Sequence, residues 1–165
     1  MISYDNYITE GFFRQNLYHF TTIYPFKQIL ETDILELGYY YNPYNDEQIK
    51  TLSLTRNKDL ILERETTIRL ELDGDLLYQD YKIIPYDFFI NDKQEDKVKS
   101  DIRRIKDVQS EEIILKSIQE ISKYLKTIIF YDNKDIYKED YLIKKLLLKN
   151  NDIIIKYKNT IIRYD

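Results

Sequence analysis

The sequence predicts an α+β domain, on three observations. Period-two runs recur along the chain, LYHFT at 17–21, TLSLT at 51–55 and TIRLEL at 67–72, as strands with one buried face require, and TIIFY at 127–131 reads as a further strand. Apolar residues fall at helical spacing at Phe26/Ile29/Leu30 and from Ile136 to Leu147, and over a shorter stretch at Ile118, Ile121, Tyr124 and Leu125. The 165 residues show no internal repeat and no linker, so one domain is expected over 1–165, long enough to bury roughly two-thirds of its unfolded surface.

The elements follow in order. The first residues are polar and aromatic without clear period, an irregular lead-in or a short helix around Thr9–Gln15. Leu17, His19 and Thr21 then alternate with Tyr18 and Phe20, so His19 and Thr21 share one face of a strand. Thr22 stands where a helix N-cap belongs, Pro25 fits the first turn, and Phe26, Ile29 and Leu30 make the buried stripe. Ile34–Leu37 reads as a short exit strand ended by Gly38. Gly38–Lys50, with four tyrosines around the Asn42-Pro43 pair, reads as an aromatic loop. Thr51–Thr55 is a strand that delivers Arg56 to its end, and Thr67–Leu72 is the next, with Ile68, Leu70 and Leu72 inward.

Asp73-Gly74-Asp75 starts a turn or short helix, followed by an extended Lys82–Ile84 stopped at Pro85. Residues 90–106 alternate in charge with few apolar anchors and read as a solvated connector or mobile loop. Strand character returns at Glu112–Leu115. A turn or short helix spans Ile118 to Leu125, and a strand covers Thr127–Tyr131. An amphipathic helix follows over Asp135–Lys149, and the chain closes in two strands joined at Lys158-Asn159, a hairpin.

Composition excludes several chemistries. With no cysteine there is no disulfide, thiolate nucleophile or cysteine zinc site, and a single histidine rules out a multi-histidine metal centre. No calcium-loop spacing appears among the 29 acidic residues, so no metal is expected. The three glycines stand alone, which removes glycine-rich phosphate loops, and no nucleophile elbow is present. The net charge of -4 is interspersed and demands no nucleic-acid partner. No apolar run spans a bilayer, and MISYDNYITEGFFRQ lacks the pattern of a signal peptide, so a cytoplasmic protein without a membrane partner is expected. Alanine is absent and valine occurs only at Val98 and Val108, as an AT-rich viral or bacterial genome would produce.

What remains is a histidine in one strand, an arginine ending a second and a glutamate opening a third, three points that can surround one ligand. On spacing alone, a core-edge histidine beside a capping threonine is the better reading of this strand, and spacing does not make a site. The stretch LYHFTTIYPFKQILETDILELG resembles the opening of ADP-ribosyltransferases of the DarT kind, in which a His-x-Thr strand is followed by a helix and a glycine-bounded exit. SLTRNKDLIL is similar to the segment in which that family places an arginine just after a strand. EEIILKSIQEISKYLKTIIF resembles the later segment, in which a glutamate opens a strand and a second strand follows. Where that family has an aromatic, proline-containing approach to the arginine, this chain has Ser53-Leu54-Thr55.

The resemblance implies split antiparallel β-sheets with a few peripheral helices, holding NAD as co-substrate in the cleft between their halves. It implies transfer of ADP-ribose from NAD to a macromolecule in a toxin or virus–host conflict setting, with nucleic acid and protein both open as acceptor. Glu112 matches the family glutamate, with Glu111 as the second choice. His19 and Thr21 match the ribose-binding strand, and Arg56 matches the arginine that holds a phosphate or the nicotinamide ribose. Tyr39, Tyr40 and their neighbour Tyr41 are candidates to cover the nicotinamide ring on chemistry alone. The alternative is a catalytically inactive nucleotide- or protein-binding module on the same fold.

Overall fold

The computed structural model describes residues 16–42, 47–56, 58, 67–85, 111–132, 134, 136 and 139–164, with the backbone alone at 40–42, 47, 84, 85, 111 and 112. The expected lead-in at Thr9–Gln15, the turn at Pro43 and the connector at 90–106 lie outside the described residues.

Strand β1 (Leu17–Thr21) forms on its period-two pattern. Leu17, His19 and Thr21 pair with Leu72, Leu70 and Ile68 of β5 (Ile68–Leu72), and the four aliphatic partners are essentially inaccessible. Helix α1 (Ile23–Thr32) buries Phe26, Ile29 and Leu30, each contributing about 1.5–3 kcal/mol of apolar burial. Thr22 occupies the N-cap as expected, but its side chain caps nothing; its carbonyl accepts the Phe26 amide at 3.1 Å. The helix stops at Asp33, whose φ of 60° closes the last turn with its amide on the Ile29 carbonyl.

Two expectations between 34 and 50 are corrected. The exit strand is shorter, β2 (Ile34–Leu35), and pairs with β8 (Ile118–Gln119) as a separate two-stranded sheet. Gly38 ends nothing: it opens β3 (Gly38–Asn42), which pairs antiparallel with a nine-residue β4 (Glu47–Thr55). The aromatic "loop" is thus the two arms of a ribbon, in keeping with the strand preference of tyrosine.

Helix α2 (Gly74–Asp80) is capped by Asp73, whose Oδ1 accepts the Leu76 amide at 3.1 Å. After β6 (Ile83–Pro85) and β7 (Glu111–Ile114) the chain passes β8, a 3₁₀ turn over Ile121–Lys123, and β9 (Leu125–Phe130). The last helix, α3 (Asp140–Lys149), buries Ile143 and Leu146; the expected start at Asp135 lies among residues only partly described. The terminal hairpin is present as β10 (Ile154–Tyr157) and β11 (Thr160–Ile162), turning through Lys158 at φ 52°.

Among the described residues the main sheet runs β11-β10-β9-β5-β1-β4-β7-β6, with β3 added on β4. All its pairings are antiparallel except β9–β10, the two strands joined through α3. The core lies under the face that carries Leu17, Leu52, Leu54, Ile68, Leu70 and Phe130, where Phe26 of α1 meets Phe130 edge-on at 5.5 Å. Asp33 ties the helices to this layer. Its carboxylate accepts the Ser122 amide, the Ser122 hydroxyl and the Lys149 ammonium, each at 2.9 Å.

Candidate functional site

The sheet nearly comes apart between β1 and β4. These strands share a single register pair, Tyr18 with Thr55, whereas β1 pairs with β5 along all five residues and β4 pairs with β7 over four. Beyond Tyr18 the two strands share no further register pair, and His19 is the first residue of β1 past that junction. His19 is half-buried, and its Nδ1 lies 3.0 Å from the Ser53 carbonyl oxygen on the other side. A carbonyl only accepts, so Nδ1 carries the proton and donates. Burial pushes the imidazole below its ordinary 6.5, with the Ser53 hydrogen bond pulling the other way. At neutral pH the ring is uncharged, which leaves Nε2 as an acceptor.

The register places the other expected residues. Arg56 is half-buried one residue past the Tyr18–Thr55 pair, at the end of β4. On β7, Glu111 stands opposite Thr55 and Glu112 opposite Leu54. Because paired residues share a face, Glu112 is in phase with Leu54 and His19, and Glu111 with Thr55 and Tyr18. Two strand spacings separate β1 from β7 at this level, about 10 Å. His19, Arg56 and the two glutamates are therefore gathered at one end of three neighbouring strands. Thr21 is in phase with His19 but buried, its Oγ1 donating to the Thr22 carbonyl over a long 3.4 Å.

Tyr39 and Tyr40 are not gathered there. They pair with Lys50 and Ile49, so Tyr39 stands four residues along β4 from Leu54, about 13 Å away at strand spacing. The Tyr39 ring is 66% exposed and lies 5.6 Å from the Lys50 ammonium. Among the described residues no cluster of three or more histidine and acidic side chains is arranged to hold a metal ion, and no helix is long and apolar enough to cross a membrane.

Sequence reasoning missed the junction itself, the Ser53 carbonyl and Arg69. The junction leaves no signal in the sequence, because the register pair that defines it, Tyr18 with Thr55, joins two strands far apart in the chain. Arg69 was visible only as the outward residue of TIRLEL. Its guanidinium packs 5.3 Å from the Tyr18 ring centre and 6.0 Å from that of Tyr131, and its Nη1 donates to the Lys58 carbonyl.

No protein-family model matches the chain, and no curated protein matches it. Among solved structures, DarT from Thermus sp. 2.9 in complex with carba-NAD+ superposes with a TM-score of 0.53, over 88% of this chain and 96% of that one, at 10% sequence identity. The chain has a DarT-like ADP-ribosyltransferase fold. The α+β class and the split sheet expected from the resemblance are what the structure contains, with the β9–β10 parallel pair as the addition.

Proposed function

We propose that this chain is an NAD-dependent ADP-ribosyltransferase that binds NAD at the strand ends around the β1–β4 junction and modifies a macromolecular acceptor, nucleic acid or protein. The observation that carries this is the junction: a neutral histidine beside its one register pair, an arginine and a glutamate pair on the adjoining strand ends, on a fold whose solved neighbour holds carba-NAD+.

Each residue has a role its chemistry suits. His19, with Nδ1–H occupied by the Ser53 carbonyl, offers Nε2 to a ribose hydroxyl as an acceptor of fixed orientation. Thr21 supports that strand from the buried side. Arg56 brings a planar fork of donors to a phosphate oxygen or the nicotinamide ribose. Glu112, in phase with His19, is the carboxylate that accepts from the 2′-hydroxyl and stabilises positive charge at C1′; Glu111, in the opposite phase, is the alternative.

The bond from C1′ to the pyridinium nitrogen breaks, and its electron pair leaves with nicotinamide, which becomes neutral. The oxocarbenium-like C1′ is captured by an acceptor nucleophile, which gives up its proton. The setting we infer, a toxin or virus–host conflict inside a cell, rests on the family resemblance and the AT-rich residue usage.

The test is label transfer. Purified protein is incubated with NAD labelled in its adenylate half and with single-stranded DNA, RNA or a protein extract. Label bound covalently in one fraction supports the reading and names the acceptor class. A folded protein that binds carba-NAD+ but labels no fraction contradicts it and favours a binding module.

A further inference from the structure

Arg56 sits just past the last pair that joins β1 to β4, where a strand end would ordinarily fray. Besides the Thr55–Glu111 pair with β7, two contacts brace it, and both involve one residue of β5. Arg69 pairs in register with Phe20 of β1 and Ile129 of β9, on the sheet face opposite His19 and Leu70. Its guanidinium lies between the rings of Tyr18 and Tyr131, at 5.3 and 6.0 Å from their centres. Tyr18 is the β1 partner of Thr55, the residue before Arg56. From that position Arg69 Nη1 donates to the carbonyl of Lys58, two residues after Arg56. The segment bearing Arg56 is thus held on one side by the Tyr18–Thr55 pair, which Arg69 backs, and on the other by Arg69 directly.

We propose that Arg69 is a positioning residue for Arg56: it ties the turn at Lys58, and Tyr18 of β1, to β5 and so sets where the Arg56 guanidinium meets NAD. The choice of arginine has a physical reason. One planar group stacks on two rings and still presents a directed N–H, whereas a lysine ammonium offers a point charge without the plane. Its Nε is buried with no hydrogen-bond partner among the described residues, so the group forgoes one hydrogen bond to keep the Lys58 contact and the stack. In this proposal Arg69 acts through Arg56. The NAD-directed part of this inference rests on the proposed function; the bracing of the Arg56 segment does not.

The experiment compares wild type with Arg69→Lys, Arg69→Gln and the control Ile129→Val, which trims a β9 neighbour of Arg69 without touching the turn. Two readouts are taken: KM and kcat for nicotinamide release, and amide hydrogen exchange of the peptide carrying Arg56. Loss of a charge-assisted, directed hydrogen bond that acts only on placement is expected to raise KM for NAD about tenfold. The expected kcat stays within about threefold, and exchange at the Arg56 peptide speeds up, in both Arg69 variants and not in Ile129→Val.

If KM and exchange in the Arg69 variants match wild type, or if Ile129→Val shifts them equally, the inference is overturned. If Arg69→Gln fails to fold, Arg69→Lys decides. If wild type itself releases no nicotinamide while exchange still rises in the Arg69 variants, the function fails and the positioning role stands.

Discussion

Asp33→Asn is expected to destabilise the protein by about 3 kcal/mol. Asparagine has the same shape and tolerates the φ of 60° that ends α1, so the backbone contribution is unchanged and the effect isolates the charge. Three donors converge on this carboxylate at 2.9 Å: the Ser122 amide, the Ser122 hydroxyl and Lys149 Nζ. Asp33 is 8% exposed and Ser122 7%, so two of these bonds are in the interior and lose a charged acceptor, while an amide NH₂ faces one donor. Lys149 is half-exposed, and that pair alone contributes no more than about 1 kcal/mol.

For a chain of this size the sum lowers Tm by roughly 6–12 °C. Thermal and urea unfolding of wild type, Asp33→Asn and Lys149→Met provide the test. A loss below about 0.5 kcal/mol in Asp33→Asn, the scatter of ordinary surface changes, refutes the reasoning. So does a Lys149→Met variant as unstable as Asp33→Asn.

The pH dependence has a definite sign. Burial alone raises the Asp33 pKa, but the hydrogen bonds from Lys149 and Ser122 outweigh it and hold the carboxyl below its usual 3.8. Stability from this group is complete above the unfolded pKa and is lost as pH falls through the folded one. Wild type should therefore lose more stability than Asp33→Asn on acidification below about pH 4.

Two further predictions follow from local structure. The single histidine resonance should titrate below 6.5 by NMR; since a depressed imidazole pKa means that the unfolded chain binds the extra proton, His19 costs stability as pH falls below that value. An unshifted or raised midpoint contradicts the burial argument. Asp73→Ala should cost about 1 kcal/mol through loss of the α2 cap, whereas Thr22→Ala should cost under about 0.5 kcal/mol because the Thr22 hydroxyl caps nothing, both read from chemical denaturation. Equal losses would contradict the cap assignment.

What was legible in the sequence had contrast between faces. Leu17/His19/Thr21, Leu52/Leu54 and Ile68/Leu70/Leu72 each lay one face on the core, and Phe26/Ile29/Leu30 made one stripe, so strand and helix periods were visible. The β3–β4 ribbon was hidden because tyrosine follows tyrosine there and no alternation marks a strand. Asp33 was hidden because its partners are 89 and 116 residues away, and nothing in TDIL signals them. The His19–Ser53 contact belongs to the same class: a side chain meeting a backbone carbonyl 34 residues on leaves no residue-type signature. Residue types gave His19, Arg56 and the Glu111/Glu112 pair as candidates, and only strand pairing separated the two glutamates by phase.

The central claim is that a carboxylate in phase with His19 stabilises cleavage of the glycosidic bond of NAD. Its most direct test is nicotinamide release from NAD by wild type, Glu112→Gln and Glu111→Gln, each first shown to be folded. Loss of at least about a hundredfold in Glu112→Gln, roughly 2.7 kcal/mol of transition-state stabilisation, with Glu111→Gln close to wild type, is the predicted result. Release by Glu112→Gln equal to that of wild type would contradict the claim.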